Sequence, residues 1–216
     1  SPQVFLLDEP FANLDADLRV EMRTLVQRLQ NEFQVTMIHV THDQEEAMVL
    51  GDTLIVMDDA VVQQIGSPHD VYHDPSNRFV ASFMGSLDTN FVDRVKAKQS
   101  GGNVVLKGED LKVSFDDSRL LKSLPDVVDF AIKPEHIRVI RKGEEIPEGQ
   151  EVLYKKARIE IVEPTGSSTN LHTEVNGQDI RVYIPGEADV HEGEEVSLAM
   201  LPERAWLFDD EGERVI

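Results

Sequence analysis

Residues 4–10 of this chain read Val4-Phe5-Leu6-Leu7-Asp8-Glu9-Pro10. A short continuous apolar run of this kind is typical of a strand that is buried on both faces of a sheet. The two acids follow at the carboxyl end of the strand, which is the end where open α/β sheets bind ligands. The next segment predicts a helix with one apolar face, formed by Leu18, Met22, Leu25, Leu29 and Phe33. Together these patterns predict the first strand and helix of an α/β domain.

The following segments continue the alternation of strands and helices. Residues 35–40 predict a second buried strand, and Asp43 is placed to cap a short helix that has Glu46 in its first turn. Two more strand patterns follow, with a turn at Asp58-Asp59 between them. Ser67-Pro68 then supplies a cap and a first-turn proline for another helix. This order predicts a largely parallel sheet covered by helices.

The pattern changes after Gly85, where helical spacing gives way to short β patterns separated by glycine and proline. Asn176-Gly177 is the clearest turn, because these residue types accept the positive φ angles of a type I′ hairpin. Alternating apolar residues flank the turn on both sides. Further strands are predicted at residues 104–106, 111–115, 127–132, 157–162, 196–201 and 205–208. Short strands in such a series predict a small barrel or sandwich, with an OB-like barrel as one option.

We place the domain boundary near Ser86. Residues 1–85 form the predicted α/β domain, and residues 86–216 form the predicted all-β domain. The fold class predicted from the sequence is therefore α/β followed by all-β.

The composition excludes several classes of partner. The formal net charge is −20, from 21 Lys and Arg against 41 Asp and Glu. Phosphate backbones and bare anionic lipid surfaces repel such a chain, so we expect no nucleic-acid binding and no direct attraction to a membrane. The chain has no cysteine, which excludes disulfides, thiolate metal sites and cysteine nucleophiles. If this protein works at a membrane, another protein must hold it there.

The acidic pair Asp8-Glu9 has two interpretations. Both acids can simply cap the turn that follows them. Alternatively, because consecutive side chains at a strand end point in different directions, one carboxylate can face a metal ion while the other faces an attacking water, as phosphoryl transfer requires. The polar loop Asn13-Leu14-Asp15 and the Thr41-His42-Asp43 segment, which follows the second predicted strand, favour the catalytic interpretation.

These segments resemble motifs of ABC-transporter ATPases. Residues 4–10 are similar to the Walker B segment of that family, residues 13–15 to its D-loop and residues 40–47 to its switch-histidine segment. Several segments between residues 64 and 85 resemble importer ATPases of the maltose/maltodextrin type. Residues 132–137 and 201–209 resemble parts of their transport-associated OB-like (TOBE) domain. The resemblance implies the carboxy-terminal half of a P-loop NTPase-type nucleotide-binding domain, followed by an OB-like regulatory domain.

The resemblance also implies roles for individual residues. Asp8 would help to hold Mg²⁺ through water, and Glu9 would be the general base or the carboxylate that orients the water. His42 would contact the γ-phosphate of ATP and the attacking water. Asp15 and its loop would communicate across a dimer of two nucleotide-binding domains.

The implied setting is an importer for a small solute, a sugar or a related compound. The cofactors would be ATP and Mg²⁺, and the partners would be transmembrane permease subunits and a second nucleotide-binding subunit. The protein would be cytoplasmic and peripheral on the inner face of the membrane. The alternative is that the β-rich part is a regulatory module that binds a protein or a small ligand without catalysis.

The sequence departs from the family at three points. It contains no G-x-x-x-x-G-K-[ST] phosphate loop, and it also lacks the Gln-containing loop and the Leu-Ser-Gly-Gly-type signature of the family. We therefore expect the 216 residues alone to bind ATP poorly and not to hydrolyse it. Lys133 stands where the family usually has arginine, which is not a neutral exchange if a planar contact is made. His39 stands where an aromatic residue is common, and its H-x-x-H spacing with His42 favours packing over metal binding.

Overall fold

A computed structural model describes residues 4–108 and 111–216. By packing, the chain divides into two compact units. The first contains the residues up to 75 together with residues 84–86, and the second contains residues 76–83 and 87–216. The predicted boundary between the two domains, near Ser86, stays a prediction. Across the described residues, no helix is both long enough and apolar enough to span a membrane.

The first unit alternates strands and helices over most of its length. Its elements are β1 (Val4–Asp8), α1 (Ala16–Phe33), β2 (Thr36–Val40), α2 (Gln44–Leu50), β3 (Leu54–Asp58), β4 (Val61–Gly66) and α3 (Pro68–His73). Strands β1 and β2 are parallel, with Asp8 paired to Val40 at their carboxyl ends. Strands β3 and β4 form a separate antiparallel hairpin. The turn of this hairpin lies at Asp59-Ala60, one residue later than predicted, and both residues have positive φ angles.

Side-chain caps set the beginnings of the helices. The Asp15 carboxylate accepts a hydrogen bond from the backbone N–H of Leu18 at 2.9 Å. Asp43 accepts from the N–H groups at the start of α2, and Ser67 Oγ accepts from Asp70 N at 3.1 Å. The caps at Asp43 and Ser67 agree with the sequence prediction, because short polar side chains satisfy the free N–H groups of a first turn.

Two predictions about burial in the first unit were wrong. Strands β1 and β2 were both expected to be buried, but Leu6 in β1 is 74% exposed and Ile38 in β2 is 51% exposed. The predicted apolar face of α1 is not covered at Phe33, which is 60% exposed, and the residue that this helix buries is Arg23. Within the described residues, β1 and β2 pair only with each other, so the parallel sheet is smaller than expected. Apolar runs predict the residue types of a core, and a two-stranded sheet has too little structure around it to bury them.

The second unit consists mainly of two five-stranded sheets, and one helix, α4 (Arg78–Phe83), precedes the strands. One sheet has the order β14-β8-β5-β6-β7 and the other β12-β11-β10-β13-β9. The bounds are β5 (Asn90–Ser100), β6 (Asn103–Lys107), β7 (Lys112–Asp116), β8 (Val127–Ile132), β9 (Ile137–Ile140), β10 (Glu151–Pro164), β11 (Ser168–Val175), β12 (Gln178–Pro185), β13 (Glu195–Met200) and β14 (Ala205–Phe208). The sequence prediction missed β5 and β9.

A continuous apolar core fills this unit. Its largest fully buried members come from both sheets and include Phe115, Phe130, Leu153, Leu171 and Leu198. The β11–β12 hairpin turns at Asn176-Gly177 with φ angles of 52° and 79°, as predicted for a type I′ turn. The apolar residues that alternate along these strands point inward, and their burial stabilises the unit.

Helix α4 and the end of the chain pack together in the second unit. The backbone N–H of Arg78 donates to Gly212 O at 2.8 Å, and Arg214 N donates to Ser76 O at 3.2 Å. The Arg78 guanidinium lies 4.2 Å from the Phe91 ring centre and pairs with Asp93 and Asp129. These contacts stabilise residues 76–83 as part of the β-rich unit.

Candidate functional site

The pairing of β1 with β2 brings two polar strand ends together. Asp8 and Val40 are neighbours in the parallel register, so Glu9 and the Thr41-His42 segment leave the sheet at the same edge. Glu9 N donates to Val40 O at 2.8 Å, which continues the strand pairing by one hydrogen bond. Glu9 itself has φ 42°, in the left-handed region that residues with a side chain seldom occupy.

The Glu9 and His42 side chains are in direct contact. His42 Nδ1 lies 3.1 Å from Glu9 Oε1, and the two side chains are 72% and 49% exposed. In this contact the Nδ1–H group donates and the carboxylate accepts. The opposite ring nitrogen, Nε2, remains available for a further hydrogen bond. The structure therefore joins two predicted site residues that lie 33 positions apart in the sequence.

The other two predicted site residues are near in sequence but differ in environment. Asp8 is exposed at the carboxyl end of β1. An exposed carboxylate is a suitable oxygen donor for Mg²⁺, which commonly takes one or two protein carboxylates and completes its shell with water and phosphate oxygens. Asp15 is engaged as the cap of α1. The catalytic and coupling roles of all four residues stay predictions.

A network of charged residues lies beside the Glu9–His42 pair, and the sequence analysis missed it. Glu46 is 3% exposed, accepts a hydrogen bond from Thr41 Oγ1 at 2.7 Å and lies 3.9 Å from Arg19 Nε. Arg19 also contacts Asp43 Oδ2 at 3.3 Å and Leu14 O at 3.2 Å. The one available signal was Glu46 in the predicted first turn of α2, which suggested a capping role instead.

A small cleft opens between these groups. It has a volume of about 120 Å³. Its lining residues are Glu9, Ala12, Arg19, Thr41, His42, Asp43 and Glu46. A cleft of this volume can hold ordered water beside Glu9 and His42, because one water molecule needs at least about 10–15 Å³ of such space.

His39 belongs to this network as a packed residue. Its Nε2 lies 3.4 Å from Glu46 Oε2, and its ring centre is 5.4 Å from that of Phe11. In the described part of the chain, His39 Nδ1 is buried without a hydrogen-bond partner. Also within that part, no group of three or more His, Asp or Glu side chains is arranged to hold a metal ion.

Lys133 is buried in the second unit, with 1% of its surface exposed. Its Nζ atom lies 5.8 Å from the centre of the Trp206 ring, which provides a cation–π contact. Burial lowers the pKa of Lys133 from its usual value, and the nearby Glu135 opposes this shift only in part. The residue thus serves the packing of the β-rich unit.

Comparison with known proteins confirms the resemblance seen in the sequence. Residues 130–208 match the family described as TOBE domain. The trehalose/maltose import ATP-binding protein MalK of Thermococcus litoralis is 40% identical over 211 residues, which are 96% of this chain and 56% of the relative. The uncharacterized ABC transporter ATP-binding protein y4oS of Sinorhizobium fredii is 38% identical over 96% of this chain and 53% of its own length.

Other relatives and one solved structure extend the comparison. The maltose/maltodextrin import ATP-binding protein MalK of Vibrio vulnificus is 36% identical over 98% of this chain and 56% of its own length. The chain thus spans a little over half the length of these curated relatives. The cytoplasmic molybdate-binding protein ModG, solved with molybdate bound, is 13% identical and has a TM-score of 0.43, covering 57% of this chain and 96% of ModG.

Proposed function

We propose that this chain, a relative of the ABC transporter ATP-binding proteins that carries a TOBE domain, is part of the ATP-hydrolysing subunit of an importer for a small solute. The observation that carries the proposal is the 3.1 Å contact between Glu9 and His42 at the carboxyl ends of two parallel strands. The relatives named for maltose or trehalose import favour a sugar or a related compound as the solute.

In this proposal the chain's own residues handle the water and its proton. Glu9 accepts a hydrogen bond from the attacking water and orients it, or takes its proton. His42 donates from Nδ1 to Glu9, which leaves Nε2 to face a phosphate oxygen and to donate to it when the ring is protonated. Asp8 is the carboxylate suited to hold Mg²⁺, which would neutralise phosphate charge when bound. The cleft beside Glu9 and His42, which can hold water, supports the roles given to these two residues.

Binding of the phosphates requires groups that these 216 residues do not contain. A phosphate-binding loop with its lysine is absent from the sequence. The exposed apolar residues of β1 and β2 are of the kind that further strands or helices cover. We therefore infer that nucleotide binding needs an additional polypeptide segment that carries this loop, and that the fold it completes is a P-loop nucleotide-binding domain.

The proposed partners follow from the same assignment. A dimer of two nucleotide-binding domains would place the 13–15 loop, with Asp15, at the contact between subunits. Transmembrane permease subunits would hold the protein at the cytoplasmic face of the membrane. The β-rich unit, with its TOBE match, would be an OB-like regulatory domain for a protein or small ligand.

The proposal is tested by measuring Mg-ATP hydrolysis. The chain alone is compared with the same chain joined to the amino-terminal part of a close relative that supplies the phosphate loop. We expect hydrolysis only by the joined protein, with or without added permease subunits. Hydrolysis by the 216 residues alone would place the phosphate site elsewhere, and a joined protein that binds ATP but stays inactive with permease present would contradict the catalytic assignment.

A further inference from the structure

The position of His42 is not fixed by packing around its own ring. The side chain is 72% exposed, and its hydrogen bond to Glu9 joins it to another half-exposed side chain. The direction of the ring therefore depends on the backbone of residues 41–43. This makes the contacts of Thr41 and Asp43 decisive for the Glu9–His42 geometry.

The residues on either side of His42 are tied to each other through one hydroxyl group. Thr41 Oγ1 accepts a hydrogen bond from Asp43 N at 3.0 Å. The same hydroxyl donates to Glu46 Oε2 at 2.7 Å. Because the hydroxyl O–H group donates to the buried Glu46 carboxylate, a lone pair of the hydroxyl oxygen can accept the hydrogen bond from Asp43 N. The two hydrogen bonds therefore link Thr41, Asp43 and Glu46 beside His42.

Arg19 connects this hydrogen-bonded group to the loop before α1. Its Nε atom lies 3.9 Å from Glu46 Oε1. The terminal nitrogens of the same guanidinium group donate to Asp43 Oδ2 at 3.3 Å and to Leu14 O at 3.2 Å. The guanidinium group of arginine has five N–H donors in a rigid plane, so one side chain can face Glu46, Asp43 and Leu14 at once, which the shorter fork-less ammonium group of lysine reproduces only in part. Arg19 thus connects the 13–15 loop, α2 and the segment that carries His42.

We propose that Thr41, Glu46 and Arg19 are positioning residues that hold His42 opposite Glu9, with Arg19 making this geometry depend on the 13–15 loop. Their relevance to catalysis rests on the proposed function. The positioning of His42 opposite Glu9 does not rest on that function, because it concerns the chain without nucleotide.

A purely stabilising role makes a different prediction. A buried ion pair is weak evidence for stability by itself, because the cost of desolvating the charges offsets their attraction. If these residues only stabilised the unit, their loss would lower the free energy of unfolding and leave His42 beside Glu9 in the molecules that remain folded. Positioning instead predicts a changed His42 environment in the folded state.

The test uses NMR signals of the histidine rings in the isotope-labelled 216-residue chain. The His42 signals are identified by their loss in His42→Gln. The shift of these signals caused by Glu9→Gln is then measured in the wild-type background, in Thr41→Val and in Thr41→Ser. We expect the response to be lost in Thr41→Val, which has no hydroxyl, and restored in Thr41→Ser. An undiminished response in folded Thr41→Val would overturn the proposal.

Substitutions of arginine provide the second arm, in case Thr41→Val does not fold. Arg19→Gln is expected to reduce the response of His42 to Glu9→Gln, and Arg19→Lys to restore it in part. Arg28→Gln is the matched control, since Arg28 is an exposed arginine of the same helix. Equal responses in Arg19→Gln and Arg28→Gln would contradict the role of Arg19. No nucleotide is added, so failure of ATP hydrolysis in the earlier assay leaves this result unaffected.

Discussion

Glu9 combines a chemical contact with an unusual backbone conformation. Its φ of 42° lies in the left-handed region, which costs a residue with a β-carbon about 1–2 kcal/mol. The hydrogen bond from Glu9 N to Val40 O helps to hold this conformation. Strained residues of this type concentrate at functional sites. Left-handed φ angles also occur at ordinary turns of this chain, such as Asp59 and Asn176, so it is the contact with His42 that selects Glu9 as the residue to test first.

Replacement of Glu9 by glutamine tests its chemistry. In the protein joined to a phosphate-loop segment, we expect Glu9→Gln to lower steady-state ATP hydrolysis by about 10²–10⁴-fold, because an amide cannot take a proton from water. Nucleotide binding should be retained, since Glu9 is not assigned to the phosphates. Glu32→Gln, an exposed acid at the end of α1, serves as the control. Persistent turnover in Glu9→Gln would remove Glu9 from the mechanism.

Lys133 provides a residue-scale prediction about pH. Burial lowers its pKa in the folded protein, so the unfolded chain binds more protons at this site between the lowered pKa and the ordinary value near 10.5. Folding stability contributed by this site therefore rises with pH through that window. In Lys133→Met this contribution is absent. We expect the stability of the wild type relative to Lys133→Met to increase between about pH 7 and about pH 10.

Urea unfolding of both proteins at the two pH values measures this difference. Lys142→Met is the control, because Lys142 is an exposed lysine in the same unit. A stability difference between the wild type and Lys133→Met that stays constant or falls with pH would contradict the lowered pKa.

At the scale of elements, local signals predicted the chain well. The caps at Asp43 and Ser67 and the hairpin at Asn176-Gly177 all depend on residues within a few positions of each other. The burial of β1 and β2 was predicted wrongly, because an apolar pattern reports which side chains suit a core and not which structure covers them. Strand β5 was missed because an irregularity between Val92 and Val95, where Arg94 has φ 57°, interrupts the alternation of apolar residues.

The candidate site likewise contains residues that the sequence could predict and residues that it could not. Glu9 and His42 could be predicted because each follows an apolar strand pattern, and their contact follows from the pairing of those strands. Arg19 could not, because its contact with Asp43 joins the beginnings of two helices, α1 and α2, which no strand pairing aligns. Such side-chain contacts depend on how α1 meets α2, which no local pattern of the sequence defines.

The β11–β12 hairpin gives a prediction for one element. Gly177 has φ 79°, and an added β-carbon would have nothing within 4 Å, so alanine there is opposed by backbone conformation and not by a clash. We expect Gly177→Ala to lower the free energy of unfolding by about 1 kcal/mol. Gly177→Asn should cost less, because asparagine accepts left-handed angles more readily. Chemical denaturation measures both, and equal losses would contradict the backbone explanation.

At the scale of the whole molecule, the charge distribution is the dominant feature. Many bases are paired with acids, among them Arg78 with Asp93, Arg141 with Asp189 and Lys122 with Asp209. The net charge of −20 nevertheless leaves acids in large excess over bases. Mutual repulsion of these acids opposes the compact state. The same excess supports the expectation that the protein does not bind nucleic acid.

Salt should therefore stabilise this protein. Raising NaCl from about 10 mM to about 150 mM shortens the Debye length from about 30 Å to about 8 Å, which screens the repulsion between dispersed acids more than it weakens close ion pairs. We expect the midpoint of thermal unfolding to rise by about 2–4 °C for each 1 kcal/mol of repulsion removed. The same salt series near the isoelectric point of about 4.6 is the control, because little net charge remains there to screen. A midpoint that falls with salt at neutral pH would mean that the ion pairs, and not the excess of acids, dominate the electrostatics of the fold.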